Sequence, residues 1–166
     1  MIIDKDNNII STKEFIIKPD NFLIPLEASN IHGITTERAH LEGLNIIKVL
    51  AEFAEDLSES DLVIAHNIDF DFPVINCEFK RINMKTKLQK IQRFCTMKST
   101  TEFCSIPGKY GNKWPTLSEL HFKLFDTSFL NSHRASSDVK ACGKCYLELI
   151  KSCLLYTSPS PRDPTK

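Results

Sequence analysis

The stretch Leu62-Val63-Ile64-Ala65-His66-Asn67-Ile68-Asp69-Phe70-Asp71 contains the pattern that decides the fold. Its first four residues are all apolar, which is typical of a short strand in the middle of a sheet that is covered on both faces. Residues 66–70 are then predicted to form the loop from strand to helix. Asp71 precedes Phe72-Pro73, and proline suits a first helical turn. Strand, loop and helix in this order predict an α/β fold with functional groups at the carboxyl edge of its sheet.

Strands and helices alternate on either side of this unit. We predict a β-hairpin over residues 2–18, a short strand over residues 94–97, and helices that begin near Asn45, Thr116 and Ser136. This order favours a mixed β-sheet that is flanked by helices.

Length and charge are those of an ordinary globular domain. The chain has 166 residues, enough for one domain with a buried core, and its 21 basic and 21 acidic side chains cancel. No overall field therefore attracts a polyanion. Seven basic residues and no acid lie between Lys80 and Lys98. Such a run either follows a phosphate backbone or forms a solvated loop and helix face.

Cysteine usage and hydropathy predict a cytoplasmic location. Six cysteines occur without a signal-peptide pattern, and no apolar stretch is long enough to span a bilayer, so we expect reduced thiols and no membrane association. Cys142 and Cys145 have CxxC spacing on one face of the last predicted helix. They serve either packing or a metal or redox site, although no second pair of ligands accompanies them.

Asp138 stands at the head of the apolar stripe of the last helix. With Cys142, Cys145 and Leu149 it follows the spacing i, i+4, i+7, i+11, so its carboxylate points toward the interior. A buried carboxylate needs compensation, and a divalent cation is one candidate. Alternatively, Asp138 only favours the positive end of the helix, and the neighbouring Ser136-Ser137 supply the cap.

Asp71 and His133 are the other candidates for chemistry. Asp71 has the position of an N-cap, but it also follows a buried strand at the sheet edge where α/β folds place their sites. His133 lies five residues before Asp138 and titrates near neutral pH, so it can move protons, although a single histidine is more often structural. Two carboxylates and a histidine that converge are parts of a metal-assisted hydrolytic site.

Four motifs give the chain a family resemblance. Residues 65–71 (Ala-His-Asn-Ile-Asp-Phe-Asp) resemble the second motif of the DEDDh (DnaQ-like) 3'-5' exonucleases, and residues 133–138 (His-Arg-Ala-Ser-Ser-Asp) resemble the third. Residues 31–35 match the His-Gly-Ile-Thr/Ser loop of that family, and residues 114–120 resemble the leucine-rich helix before its third motif. Order and spacing agree from about Ile2 to Lys151. Within the family, the chain is most similar to the proofreading epsilon-type exonucleases of bacterial DNA polymerase III and their stand-alone homologues.

The resemblance implies a ribonuclease H-like fold and two-metal hydrolysis of phosphodiester bonds at the 3' ends of single-stranded DNA or RNA. It implies Mg2+ or Mn2+, with Asp138 as a direct ligand and Asp71 acting on a metal, while His133 takes the proton from the attacking water. A DNA polymerase subunit is the implied protein partner, and replication is the implied process. The residues implied to lie against the 3'-terminal nucleotide are His32, Gly33, Ile34, Asn67 and Phe70.

One part of the family pattern has no counterpart in this chain. The first motif, Asp-x-Glu on the first strand, supplies two further carboxylates, whereas Asp4-Lys5-Asp6 lies in a predicted hairpin turn. We interpret the chain as truncated at its amino end, without the first strand. The vacant central strand position predicts an exposed sheet edge. With half of the four acids, the chain is predicted to be inactive or nearly so.

The predicted domain covers residues 1–152, and residues 153–166 form a proline-rich tail that we expect to be disordered and non-native. Two alternatives remain open for function. Instead of a DNA-directed exonuclease, the chain could be a non-catalytic nucleic-acid-binding homologue that lost its first motif, or an RNA-directed exonuclease similar to RNase T or oligoribonuclease.

Overall fold

The computed structural model describes residues 1–129 and 134–152. Its strands are β1 (Ile2–Ile3), β2 (Ile9–Ser11), β3 (Leu62–Ala65), β4 (Gln92–Cys95), β5 (Pro107–Gly108) and β6 (Gly111–Asn112). Its helices are α1 (Leu26–His32), α2 (Thr36–Glu42), α3 (Ile46–Glu59), α4 (Ile68–Arg81), α5 (Thr96–Ser99), α6 (Thr101–Cys104), α7 (Leu117–Phe125) and α8 (Ala135–Lys151). The predicted tail and residues 130–133 lie outside the described residues.

The parallel pair of β3 and β4 positions the site. The two strands pair in register from Leu62 with Gln92 to Ala65 with Cys95, and α4 connects them. This strand–helix–strand unit is the α/β arrangement that the sequence predicts. Because parallel strands end at the same edge, the segments after Ala65 and Cys95 emerge side by side.

The strand predicted over residues 94–97 is shifted in the structure. It runs from Gln92 to Cys95, and Thr96 already begins α5. Hydroxyl groups explain the early turn, because the side chain of Ser99 donates to the carbonyl of Cys95 at 2.9 Å and that of Thr100 donates to Thr96 at 2.7 Å. Such side-chain bonds to backbone carbonyls offer the chain an alternative to the hydrogen-bond ladder of a strand.

The amino-terminal hairpin is shorter than the sequence predicts. Asp4 holds the turn, because its Oδ1 accepts from the backbone N–H groups of Asp6 and Asn8 at 2.9 and 2.8 Å. Pairing ends at Ser11 rather than near residue 18. The following segment instead bridges Leu44, whose N–H donates to the carbonyl of Ile16 at 2.8 Å.

β3 is less buried than its composition predicts. All four of its residues are only half-buried, although an all-apolar strand was expected at the centre of a sheet covered on both faces. Within residues 1–129 and 134–152, β3 pairs with β4 alone, and the β1–β2 hairpin forms a separate sheet. The second edge of β3 is therefore without a strand partner among the described residues, which accounts for its partial exposure.

Two apolar cores hold the helices in place. One joins α3 and α4 to the segment before β4 and is built from Leu50, Leu57, Phe79, Leu88 and Ile91. The other joins α6, α7 and α8 through Cys104, Leu120 and Cys145. The second core fixes α8, and with it Asp138, against the end of the parallel pair. None of the helices described in the structure is both long and apolar enough to cross a bilayer.

The cysteines of the CxxC pair have a packing role. Cys142 and Cys145 are both buried, and burial raises the pKa of Cys142 to about 11 and that of Cys145 to about 12. Their thiols therefore stay protonated at neutral pH, which disfavours metal binding and redox chemistry.

Two glycines allow a matched test of the packing. A β-carbon at Gly43 would lie 2.7 Å from the backbone nitrogen of Lys18, and both chain segments are fixed by backbone pairing. A β-carbon at Gly143, inside α8, would meet chiefly the flexible tip of Met1. We expect Gly43→Ala to lower the free energy of unfolding by about 1–3 kcal/mol. Gly143→Ala should stay within about 1 kcal/mol of wild type, because alanine favours the helix. Urea unfolding measures both, and equal stability of the two variants would contradict the packing described.

Candidate active site

The segment after β3 turns into helix earlier than the sequence predicts. Asn67 has a left-handed conformation, with φ at 77°, and α4 begins at Ile68 instead of after residue 70. Asparagine tolerates this conformation, so the chain can reverse direction in one residue. Pro73 consequently lies inside the helix. The carbonyl that it leaves without a helical partner belongs to exposed Asp69, where water can satisfy it.

Asp71 is not the helix cap that its sequence position suggested. Asn67 occupies that position, and Asp71 lies about one turn inside the helix, half-buried. Burial raises the pKa of the Asp71 carboxyl group. No lysine, arginine or histidine among the described residues forms an ion pair with it. The capping explanation is therefore wrong, and Asp71 is a partly desolvated acid that would gain from a nearby cation.

Asp138 lies in the first turn of α8, half-buried, at the head of a stripe whose other members, Cys142, Cys145 and Leu149, are buried. Arg134 is the N-cap residue, so the adjacent serines are not the cap that one interpretation assigned to them. The N–H of Ser136 instead donates to Glu14 at 3.3 Å. No sequence pattern indicates this contact, because 122 positions separate the two residues.

Both aspartates can be related to Cys142 of α8. Burial and the hydrogen bond to Thr96 are the first influences on the pKa of Cys142, and the negative charge of Asp71 raises that pKa further. Asp138 lies one helical turn before Cys142 in the same helix. The described residues contain no group of three or more His, Cys, Asp or Glu side chains that could hold a metal ion. His133 lies outside the described residues.

The His-Gly-Ile loop forms a separate part of the surface. Gly33 ends α1 in a left-handed conformation, and its N–H donates to the carbonyl of Ser29 at 2.7 Å. His32 Nδ1 accepts from the N–H of Ile34 at 3.1 Å. His32 and Ile34 line an apolar cavity of about 360 Å³, together with residues of the segment that follows β2. The hydrogen bonds described for Gly33 run within α1 and to Arg38 of α2, so the grouping of this loop with Asn67 and Phe70 around one nucleotide stays a prediction.

His66 links the strand ends to the segment before α7. Its Nε2 lies 2.9 Å from the carbonyl oxygen of Pro115, and its Nδ1 lies 2.9 Å from Thr96 Oγ1. A carbonyl oxygen only accepts, so Nε2 carries the proton. In a neutral ring, Nδ1 then accepts from the threonine hydroxyl. Burial, the main influence, lowers the pKa of His66, which agrees with a neutral imidazole.

The other motif residues form the open face of the site. Phe70 is 68% exposed, as expected for a residue that contacts a ligand rather than the core. Asn67 makes no capping hydrogen bond through its side chain. Next to Phe70, Asp69 pairs with Lys98, and the Lys98 ammonium lies 5.8 Å from the ring centre of Trp114. In the sequence, Lys98 belongs to the basic run 80–98 and Trp114 to the motif of residues 114–120, but no pattern predicted that the two side chains lie close together.

Protonation of His66 should weaken the fold at acid pH. The unfolded imidazole binds a proton below about pH 6.5, whereas burial lowers the pKa of His66 in the folded state. The unfolded state therefore binds more protons in this window, and stability is lost as the pH falls from about 7.5 to 5. We expect His66→Gln to lose less stability over this range than wild type, and exposed His40→Gln to match wild type. Urea unfolding at both pH values measures the loss in the free energy of unfolding for each protein. An equal loss in wild type, His66→Gln and His40→Gln would contradict the buried neutral ring.

Comparison with known proteins identifies relatives over most of the chain. The family model described as exonuclease (RNase_T) matches residues 1–146. DNA polymerase III subunit epsilon of Buchnera aphidicola subsp. Schizaphis graminum (strain Sg) is 36% identical over 138 residues, which cover 79% of this chain and 54% of that protein. Its counterpart from Buchnera aphidicola subsp. Baizongia pistaciae (strain Bp) is 31% identical over 148 residues, covering 87% of this chain and 57% of that protein. The chain thus spans about half the length of these curated relatives.

A solved structure supports the fold. The crystal structure of E. coli Exonuclease I in complex with a dA16 oligonucleotide superposes with a TM-score of 0.71 at 20% identity, over 93% of this chain and 36% of that chain. At this identity the likeness is evidence for the fold alone, and it confirms the predicted ribonuclease H-like α/β architecture. The family match covers all the motifs that suggested the resemblance, and the chain belongs to the exonuclease family.

Proposed function

We propose that this domain acts in 3'-5' exonucleolytic hydrolysis of phosphodiester bonds at the 3' ends of DNA. The observation that supports this most directly is that half-buried Asp71 acts electrostatically on Cys142 of α8, one helical turn after half-buried Asp138. Exposed Phe70 precedes Asp71 in α4 and is proposed to offer an apolar face to a sugar or base. Family membership supplies the class of reaction.

The proposed cofactor is Mg2+ or Mn2+. Carboxylate oxygens are the hard donors that these ions prefer, and a cation would offset the partial desolvation of Asp71. When bound, such ions activate a water molecule and stabilise the leaving oxygen. The described residues supply two carboxylates, fewer than a two-metal centre requires. We therefore derive no step through the metals, and we propose that the chain alone binds them weakly and hydrolyses DNA slowly or not at all.

The remaining assignments rest on the motifs. His133, outside the described residues, is proposed as the acceptor of the proton from the attacking water. Asn67 has a side chain that is not engaged in capping, and it is proposed to hydrogen-bond the terminal nucleotide. His32 and Ile34, which line the cavity beside α1, are proposed to contact that nucleotide together with Gly33 between them.

Protein partner and biological process are proposed from the relatives. Because these are named as subunits of DNA polymerase III, we propose a DNA polymerase subunit as partner and proofreading during replication as the process. A non-catalytic role in nucleic-acid binding is the second candidate, and it is favoured because residues 1–129 and 134–152 contain no group of three or more His, Cys, Asp or Glu side chains that could hold a metal ion. Parallel assays on DNA and RNA oligonucleotides of matched sequence separate the DNA-directed function from an RNA-directed one.

The number of carboxylates predicts the catalytic outcome. With Mn2+ and a 5'-labelled single-stranded oligonucleotide, we expect cleavage by the wild-type chain close to the background without protein. The variants Asp138→Ala and Asp71→Ala should then show nearly the same cleavage rate as the wild-type chain. The control Asp61→Ala, at an exposed position, should do so as well. Calorimetric titration should give a dissociation constant for Mn2+ in the millimolar range or weaker. Full-rate digestion that Asp138→Ala abolishes would show that these two carboxylates suffice and would overturn this part of the proposal.

Recognition of a 3' end can be tested without catalysis. In EDTA, we expect a linear oligonucleotide to bind roughly tenfold more tightly than a covalently closed circle of the same sequence, because only the linear strand offers a terminal nucleotide to stack on Phe70. Phe70→Ala should reduce this preference, whereas Phe122→Ala, at an exposed aromatic residue of α7, should preserve it. Competition against a labelled linear strand measures both affinities. Equal affinity for the linear oligonucleotide and the closed circle would argue against recognition of the 3' end.

A further inference from the structure

Trp114 is a large aromatic side chain that the packed core does not use. It is the single tryptophan of the chain and is 60% exposed, whereas the adjacent Pro115 is fully buried. An exposed tryptophan forgoes the burial that usually stabilises this residue type, so its position calls for another explanation.

The backbone around Trp114 is held on both sides. The carbonyl oxygen of Pro115 accepts from His66, and Thr116 begins α7 with a capping box in which its side chain and that of Glu119 bond each other's backbone N–H groups. Lys113, on the other side, pairs with Glu119 at 2.6 Å. A ring presented from a fixed backbone loses little conformational freedom when a ligand covers it.

Lys98 places this ring next to the second motif. Its ammonium group lies 5.8 Å from the centre of the Trp114 ring and pairs with Asp69, the residue before Phe70. Two exposed aromatic rings and a lysine therefore occur along one edge of the structure, at the ends of the parallel strands. Aromatic faces interleaved with cations are the surface that single-stranded nucleic acid recognises, because every base has a face to stack and every linkage has a negative charge.

We infer that Trp114 is a second base-stacking surface for single-stranded nucleic acid, beyond the terminal nucleotide at Phe70, and that Lys98 binds the adjoining phosphate. This inference rests on the proposed function and extends it along the strand. Asp69 holds Lys98 in place until the phosphate arrives. Both side chains of that ion pair are exposed, at 46% and 61%, so water screens their attraction and a phosphate can replace the carboxylate readily.

Trp114 reports on its own contact, because its emission is the tryptophan emission of the whole chain. In EDTA, we expect titration with a twelve-residue deoxyadenosine oligonucleotide to quench this emission to saturation, and inorganic phosphate at equal charge to leave it unchanged. The corresponding RNA should quench similarly, since stacking requires only the face of a base. Lys98→Gln should reduce the slope of log affinity against log salt by about one unit.

Affinity for a labelled oligonucleotide provides the second measurement. We expect Trp114→Ala to weaken binding roughly tenfold, Trp114→Phe to remain near wild type because it keeps a stacking ring, and the control Phe122→Ala to match wild type. If the oligonucleotide binds but the emission stays constant and Trp114→Ala binds like wild type, this inference fails and the proposed function stands. If the chain binds no single-stranded nucleic acid, both fail. Quenching by a protein partner alone would assign the surface to protein binding and overturn the inference.

Discussion

The imidazole of His66 joins three segments that are distant in sequence. It follows β3, bonds Thr96 at the end of β4, and bonds the carbonyl of Pro115 just before α7. With its proton on Nε2, the neutral ring donates to the carbonyl of Pro115 and accepts from Thr96 at Nδ1, and its partly buried position favours the neutral state. Thr96 continues the connection, since its Oγ1 lies 3.8 Å from Cys142 Sγ in α8. One neutral histidine thus connects the parallel strands to α7 and, through Thr96, to α8 of the second core.

Local patterns in the sequence predicted those features whose causes are local. The turn at Asp4 follows from hydrogen bonds that its side chain makes within four residues, and the capping box before α7 follows from the spacing of Thr116 and Glu119. The start of α4 was misplaced because two local signals disagree. Pro73 suggested a first turn, whereas the left-handed Asn67 begins the helix earlier. The half-exposed state of β3 depends on what pairs with its edge, which the composition of the strand does not encode.

The distinction between local and long-range causes also applies to the residues of the site. The helical period alone placed Asp138 at the head of a buried stripe, and the structure agrees because α8 packs with the face that the period defines. Three other contacts join segments that are far apart in the chain: the bond from Ser136 to Glu14, the bond from His66 to Pro115, and the position of Lys98 between Asp69 and Trp114. Such contacts arise from the tertiary fold, and each of these residues is unremarkable in its own sequence context.

The surroundings of Asp71 determine how strongly its carboxylate holds a proton or a metal ion. Burial is the main influence on its carboxyl group and raises its pKa, a backbone hydrogen bond offsets part of this effect, and its negative charge in turn raises the pKa of the buried Cys142 thiol. The resulting rise in its pKa makes protons and metal ions compete for the same oxygens. On the proposed function, a divalent ion must displace any bound proton, so its affinity falls as the pH decreases. A neighbouring acid would add a ligand but would also raise that pKa further through repulsion. A bound cation would offset both the desolvation and the repulsion, so residues that gather carboxylates in such a centre favour metal binding at the expense of the stability of the empty site.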